Sequence, residues 1–163
     1  MRPALAWLAF LLTLAPTAHS ADEGDKLVGT WSLVSWVMED DTTKEQKPLY
    51  GEHPHGFATF TPTGRAFFVL TGEGRKAPQS EAEGAAALKS LVAYTGRYRV
   101  DGGRFITTVD TAWNEAWVGT DQVRTFRLDG DRLHVVAMSQ PNPNFNGRLM
   151  HGILTFERER KKR

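Results

Sequence analysis

The sequence predicts a mainly β domain, an eight-stranded antiparallel up-and-down barrel with one short helix covering a mouth. Three observations carry this. Eight runs of residues alternate apolar and polar with period two, most are separated by tight Gly or Pro turns, and only one stretch after the N-terminus has helical spacing. A closed sandwich of the same strands satisfies the same pattern. Eight strands closed into a barrel leave room inside for one small ligand and expose no sheet edge.

Residues 1–20 stand apart from the domain. Arg2 gives a short positive start, Ala4 to Leu14 an apolar run, and Ala18-His19-Ser20 small residues at a cleavage position, so this segment reads as a signal peptide. The run is too short to span a bilayer, which takes ~20 apolar residues. The expected protein is therefore exported, periplasmic or secreted, with a mature domain over 21–163. With no Cys, it carries neither a disulfide nor a thioether-linked lipid, and its core alone must hold it together. Without Arg2 the formal charge is zero, with 19 Lys+Arg against 19 Asp+Glu. A balanced surface of that kind argues against nucleic acid as a partner. The 143 residues from Ala21 suffice for one core and fall short of two domains.

From Ala21 to Lys26 the chain is polar and expected to be loose. Leu27 to Met38 is the first strand, with Trp31, Leu33 and Val37 on one alternating face and Val34, Trp36 and Met38 on the other. Such a strand is expected to be covered on both sides. Gly29 leaves space against which a large ring, Trp31 being nearest, could sit. Glu39 to His55 is charged and punctuated by Lys47-Pro48 and His53-Pro54, hence a loop. Gly56–Thr61 and Arg65–Leu70 form a hairpin around Thr61-Pro62-Thr63-Gly64, a type I turn with Pro second and Gly fourth.

Ser80-Glu81-Ala82-Glu83 is a capping box, and Ala85, Leu88, Leu91 and Val92 follow at helical spacing, predicting a helix over Glu81–Ala93. Its apolar stripe calls for burial at a mouth of the barrel, and the Gly-Pro sequence before it suits a moving lid. Tyr94–Val100, Arg104–Trp113, Asp121–Leu128, Arg132–Met138 and Leu149–Glu157 complete the eight strands. Asp101-Gly102-Gly103 and Asp129-Gly130-Asp131 supply two of the turns. Pro141 to Gly147 is a loop, and Arg158 to Arg163 a basic, solvated tail.

Five stretches together resemble one family. They are Leu27–Trp36, Phe60–Gly64, Tyr94–Gly102, Trp113–Arg124 and Phe126–Leu133, and their order and content are similar to those of the bacterial and fungal lipocalin-like domain proteins. Trp117 to Arg124, WVGTDQVR, is the most specific piece, and Gly29-x-Trp31 resembles the opening of lipocalin-type barrels, where the Trp plugs one end. Family members often carry His in the strand before WVGTDQVR, where this chain has Thr107 and Thr108, and Pro near Ala116. The resemblance implies a fold and a pocket, without a reaction.

Candidate ligand-binding residues are those whose register points inward: Phe60, Phe68, Tyr94, Tyr98, Trp113, Gln122, Arg124 and Phe126. Thr107 and Thr111 share that register. A dry interior leaves their polar groups unpaired at ~1–3 kcal/mol each, whereas apolar walls with a few convergent polar groups describe a ligand pocket. Arg124 has two possible roles. It could meet the anionic or carbonyl end of a ligand beside Tyr98, or stack on Trp31 and cap the closed end. Trp117 is expected to pack in the Asn114–Gly119 corner.

No motif announces catalysis, a metal or a cofactor. His53-x-His55 flanks a Pro in a loop and lacks a third ligand. There is no Gly-x-Ser-x-Gly elbow, and Gly72-x-Gly74 does not join a strand to a helix. The leading expectation is a binding protein holding a small hydrophobic or amphipathic molecule, with no membrane span and existing as a monomer or weak dimer. An isomerase or cyclase using the same cavity, and a filled barrel acting through its surface in the envelope, are the alternatives.

Overall fold

The computed structural model describes residues 19–48, 50–142 and 146–160. The expected signal peptide lies outside the described residues up to position 18. So do Pro143–Phe145 of the expected loop and the last three residues of the tail.

Eight strands close into an antiparallel barrel: β1 (Gly29–Asp40), β3 (His55–Phe60), β4 (Arg65–Thr71), β5 (Leu91–Asp101), β6 (Arg104–Ala112), β7 (Asp121–Asp129), β8 (Arg132–Ala137) and β10 (Arg148–Arg158). They follow one another around the wall in that order, and β10 closes on β1. Two short strands, β2 (Gln46–Lys47) and β9 (Gln140–Asn142), add hairpins to β1 and β10 at one end. The Thr61–Gly64 turn forms as expected, with Gly64 N–H donating to Thr61 O at 3.1 Å and Gly64 at φ +77°.

Two β-bulges change which residues face inward. In β1, Leu33 pairs with Phe156 and Ser35 with Thr155, leaving Val34 as an extra residue. Trp31 and Leu33 point in before the bulge, Trp36, Met38 and Asp40 after it, and Val34 is exposed. The strand is therefore not covered twice. Its two apolar faces in the sequence are one inward face whose phase changes at Val34. In β6, Thr95 pairs with Thr111 but Gly96 with Val109, so Asp110 is the extra residue. Phe105, Thr107 and Val109 point inward, and the phase change turns Thr111 outward, while Ala112 pairs with the inward Tyr94.

One end of the barrel is sealed. Helix α1 (His19–Leu27), where a loose segment was expected, ends on the fully buried Leu27, and Trp31 Nε1 donates to Leu27 O at 2.8 Å. The guanidinium of Arg158 lies 4.0 Å from the centre of the Trp31 ring and donates to Val28 O at 2.9 Å. Arg158 thus belongs to the scaffold instead of a solvated tail, and it is Arg158, not Arg124, that caps Trp31. The space above Gly29, at φ +137°, is also filled by Arg158, whose Nη1 would lie 2.8 Å from any Cβ there. Above this cap Phe60, Phe105, Leu133 and Phe156 fill the barrel as core.

At the other end run the longer connections. Helix α2 (Glu81–Lys89) starts as the sequence predicts, with Ser80 Oγ accepting from Glu83 N–H at 3.2 Å and Glu83 reaching back to Gln79 N–H at 2.6 Å. It stops four residues short of Ala93, because Leu91–Ala93 extend β5 and pair with β4. The expected apolar stripe thus divides between helix and strand. None of the helix side chains is buried, and Leu88 stands exposed, so α2 sits at the rim without plugging it.

Candidate functional site

A cavity of about 90 Å³ lies in the half of the barrel nearer the open end. β1 contributes Trp36 and Met38, β4 Phe68 and Leu70, β5 Val92 and Tyr94, β8 Val135 and Ala137, and β10 Met150, Gly152, Leu154 and Phe156. Phe105 forms part of the wall, Trp117 and Met138 come from the connections beyond β6 and β8, and Gln140 is the first residue of β9. Alternation explains this lining, since each strand offers every second side chain to the interior.

Arg124 is the one charged residue of the lining. Its Nη1 donates to Val123 O at 2.8 Å and its Nη2 to Gln122 Oε1 at 3.1 Å, while its guanidinium carbon lies 5.9 Å from the Trp117 ring centre. Both hydrogen-bond acceptors are neutral. Tyr94 packs flat on Phe68, ring centres 4.5 Å apart, with the edge of Trp117 at 5.4 Å. Burial pushes the Tyr94 phenol up from its ordinary value, and the charge of Arg124 pulls partly the other way. The phenol thus stays protonated and able to donate.

Trp36, also a lining residue, has its Nε1 buried without a hydrogen-bond partner. Gly152, across the β1–β10 ladder, makes room for this indole, because a Cβ there would stand 3.2 Å from Nε1. No Asp, Glu or His lines the cavity. Asp40, also inward and buried at this end, is occupied: Oδ1 accepts from the N–H groups of Thr42 and Thr43, each at 2.9 Å, and Oδ2 lies 2.8 Å from the Arg148 guanidinium. Among the described residues no group of three His, Asp or Glu is placed to hold a metal.

The candidates drawn from the sequence divide into four groups. Phe68, Tyr94 and Arg124 line the cavity. Gln122 stands beside it as the acceptor for Arg124. Phe60, Tyr98 and Phe126 point inward below it as core: Phe60 meets the ring edges of Tyr98 at 5.1 Å and Phe105 at 5.2 Å, Phe126 lies 5.9 Å from Phe105, and the Tyr98 hydroxyl donates to Thr61 O at 3.3 Å. Tyr98 is therefore not beside Arg124. Trp113 is outside the cavity, turned by the Asp110 bulge onto an outer patch with Phe67 and Val69. Trp36, Met38, Met150, Leu154 and Trp117 were missed. The Val34 bulge hides the first two from alternation, and Trp117, expected to pack in its corner, is also wall.

With this geometry in place, the profile of the lipocalin-like domain matches residues 28–159, which take in all eight strands of the barrel. The chain belongs to the lipocalin-like domain family. Comparison with curated proteins gives no match. The barrel has the Trp-plugged end that the resemblance implied, sealed by Trp31 and Arg158, and a cavity toward its other end. No helix among the described residues is long and apolar enough to cross a membrane.

Proposed function

We propose that this lipocalin-like barrel is an exported binding protein for a compact amphipathic molecule, its apolar body in the cavity and its anionic or carbonyl end on Arg124. The observation that supports this reading is an apolar cavity with a single charged lining residue, whose hydrogen-bond partners are neutral. A guanidinium so placed keeps its capacity for a charge-assisted bond to a carboxylate. Size limits the ligand: at about 90 Å³ the cavity is well under the ~300 Å³ where drug-sized pockets begin. A long acyl chain is too large to be enclosed.

Acid–base chemistry has less support. Tyr94 is a donor, and no carboxylate or imidazole faces it across the cavity to take a proton. Export rests on Arg2, the Ala4–Leu14 run and Ala18-His19-Ser20. Extraction of the natively purified protein, with mass spectrometry of what is released, tests the reading. The expected result is a small acid or carbonyl compound on a chain that begins at Ala21. A long-chain lipid, or an empty protein that also binds no short carboxylic acid at millimolar concentration, overturns it.

A further inference from the structure

The two inward tyrosines of β5 differ in what their hydroxyls meet. That of Tyr98 donates to Thr61 O, as a buried phenol ordinarily does. Tyr94 is 6% exposed, yet its hydroxyl has no hydrogen-bond partner among the described residues. Trp36 Nε1 and Thr107 Oγ1 are also unpartnered, but their neighbours seal them in; the Tyr94 hydroxyl is not sealed, and Tyr94 lines the cavity. Phe68, lying flat on the Tyr94 ring at 4.5 Å, fixes where the hydroxyl stands. Arg124 reaches the same part of the wall from β7. The Trp117 ring centre is 5.4 Å from that of Tyr94 and 5.9 Å from the Arg124 guanidinium carbon, so both residues border one indole. Val123 O and Gln122 Oε1 each take one N–H of that guanidinium, and its other donors have no partner among the described residues.

We propose that Tyr94 and Arg124 together hold a carboxylate, one oxygen on the phenol O–H and the other on the guanidinium. This deepens the binding reading, on which it rests, by making the polar end of the ligand an anion and not a neutral carbonyl. A guanidinium only donates, and the protonated phenol has its hydrogen to give. An ionised carboxylate accepts at both oxygens, whereas a carboxamide of the same shape sets N–H donors against the guanidinium. The lining has no Asp, Glu or His to compete for these donors or to repel an anion. In a wall that is otherwise largely apolar, charge-assisted bonds to the anion are the strong ones. Tyr94 is thus a specificity-determining residue of the site, and Phe68 its support.

The test uses two probes of the same shape, 4-methylpentanoate and 4-methylpentanamide, one charged and one neutral. Each is titrated at pH 7, where the acid is ionised, into the full mature protein and into Tyr94→Phe. That variant keeps the ring on Phe68 and loses only the hydroxyl. Affinities are read from backbone amide shifts by NMR, and a carbon-13 label at tyrosine Cζ follows the phenol itself. The wild type is expected to bind the acid at least ~tenfold more tightly than the amide, with a shift of the Tyr94 Cζ resonance, and Tyr94→Phe to bind the acid at least ~tenfold more weakly. Equal binding of the two probes by the wild type overturns the carboxylate and leaves a neutral-ended ligand, and so the binding reading, standing. A Tyr94→Phe protein that binds the acid as the wild type does overturns the phenol contact and leaves Arg124 alone as the anchor. Binding of neither probe overturns both this pairing and the binding reading. Should Tyr94→Phe fail to fold, the Cζ resonance of the wild type decides, assigned by the contacts of its ring with Phe68 and Trp117: one that stays in place when the acid binds overturns the contact.

Discussion

At the scale of single residues, two arginines exchange the roles that the sequence left open for one. Arg158 lies over Trp31 and reaches two backbone carbonyls of the N-terminal segment, those of Val28 and Lys26. A cation over a Trp face contributes ~0.5–2 kcal/mol and a charge-assisted hydrogen bond ~1.5–3 kcal/mol, both discounted for the partial exposure of this side chain. Arg158→Met should therefore lower stability by about 2 kcal/mol in urea unfolding and leave 4-methylpentanoate binding unchanged. Arg124 is expected to behave oppositely. Its neutral partners lose little when it is replaced, and Met keeps the packing of its stem against Trp117. Arg124→Met should weaken carboxylate binding at least tenfold, about 1.4 kcal/mol, with stability nearly unchanged. A variant that melts early and binds as before would place Arg124 in the scaffold.

At the scale of elements, most of the fold was legible because alternation and turn chemistry are local. The strand runs and the Ser80 capping box are written in adjacent residues, and the structure has them within a few positions. Bulges are different. An inserted residue has no composition of its own, and Val34 and Asp110 look like ordinary strand residues until partners are assigned. The first makes one inward face look like two apolar faces in the alternation, and the second is why alternation points Trp113 and Thr111 inside. The candidate site was accordingly half legible: β4, β5 and β7 carry no bulge before their site residues, and those residues were found. Helix α2 was misjudged for another reason, since Leu91 and Val92 fit helical spacing yet pair in β5. With no side chain buried, α2 should open locally at little cost. Its amides are expected to exchange at least ~100-fold faster than those of β5, with no slowing when 4-methylpentanoate is added. Protection equal to the strands, or protection gained with ligand, would restore it as a lid.

For the whole molecule, stability without a disulfide rests on the closed sheet, its core and a set of carboxylates held below their ordinary values. Asp40 is lowered chiefly by the Thr43 N–H, then by the Thr42 N–H and the charge of Arg148. Asp41 is lowered by a hydrogen bond from Ser139 and by His151, whose Nδ1 lies 2.6 Å from it. Glu39 is lowered by Gln46 and Asp110 by Arg65. Three of the four join the end of β1 to β2, to β10 and to Ser139 just before β9, where the barrel is open. Each group binds its proton more weakly folded than unfolded, so each stabilises the fold at a pH above its unfolded value and loses that contribution as pH falls through the folded one. The melting temperature should be level between about pH 5 and 7 and drop below about pH 4, where unfolded carboxylates take up protons first. Asp40 should carry the largest share, because its side chain is only 3% exposed while that of Asp110 is 46% exposed and screened by water. Asp40→Asn is accordingly expected to be less stable at neutral pH and to lose less on acidification than the wild type. A wild-type melting temperature that holds or rises from pH 5 to pH 3 would show that these pairs do not secure the open end of the barrel.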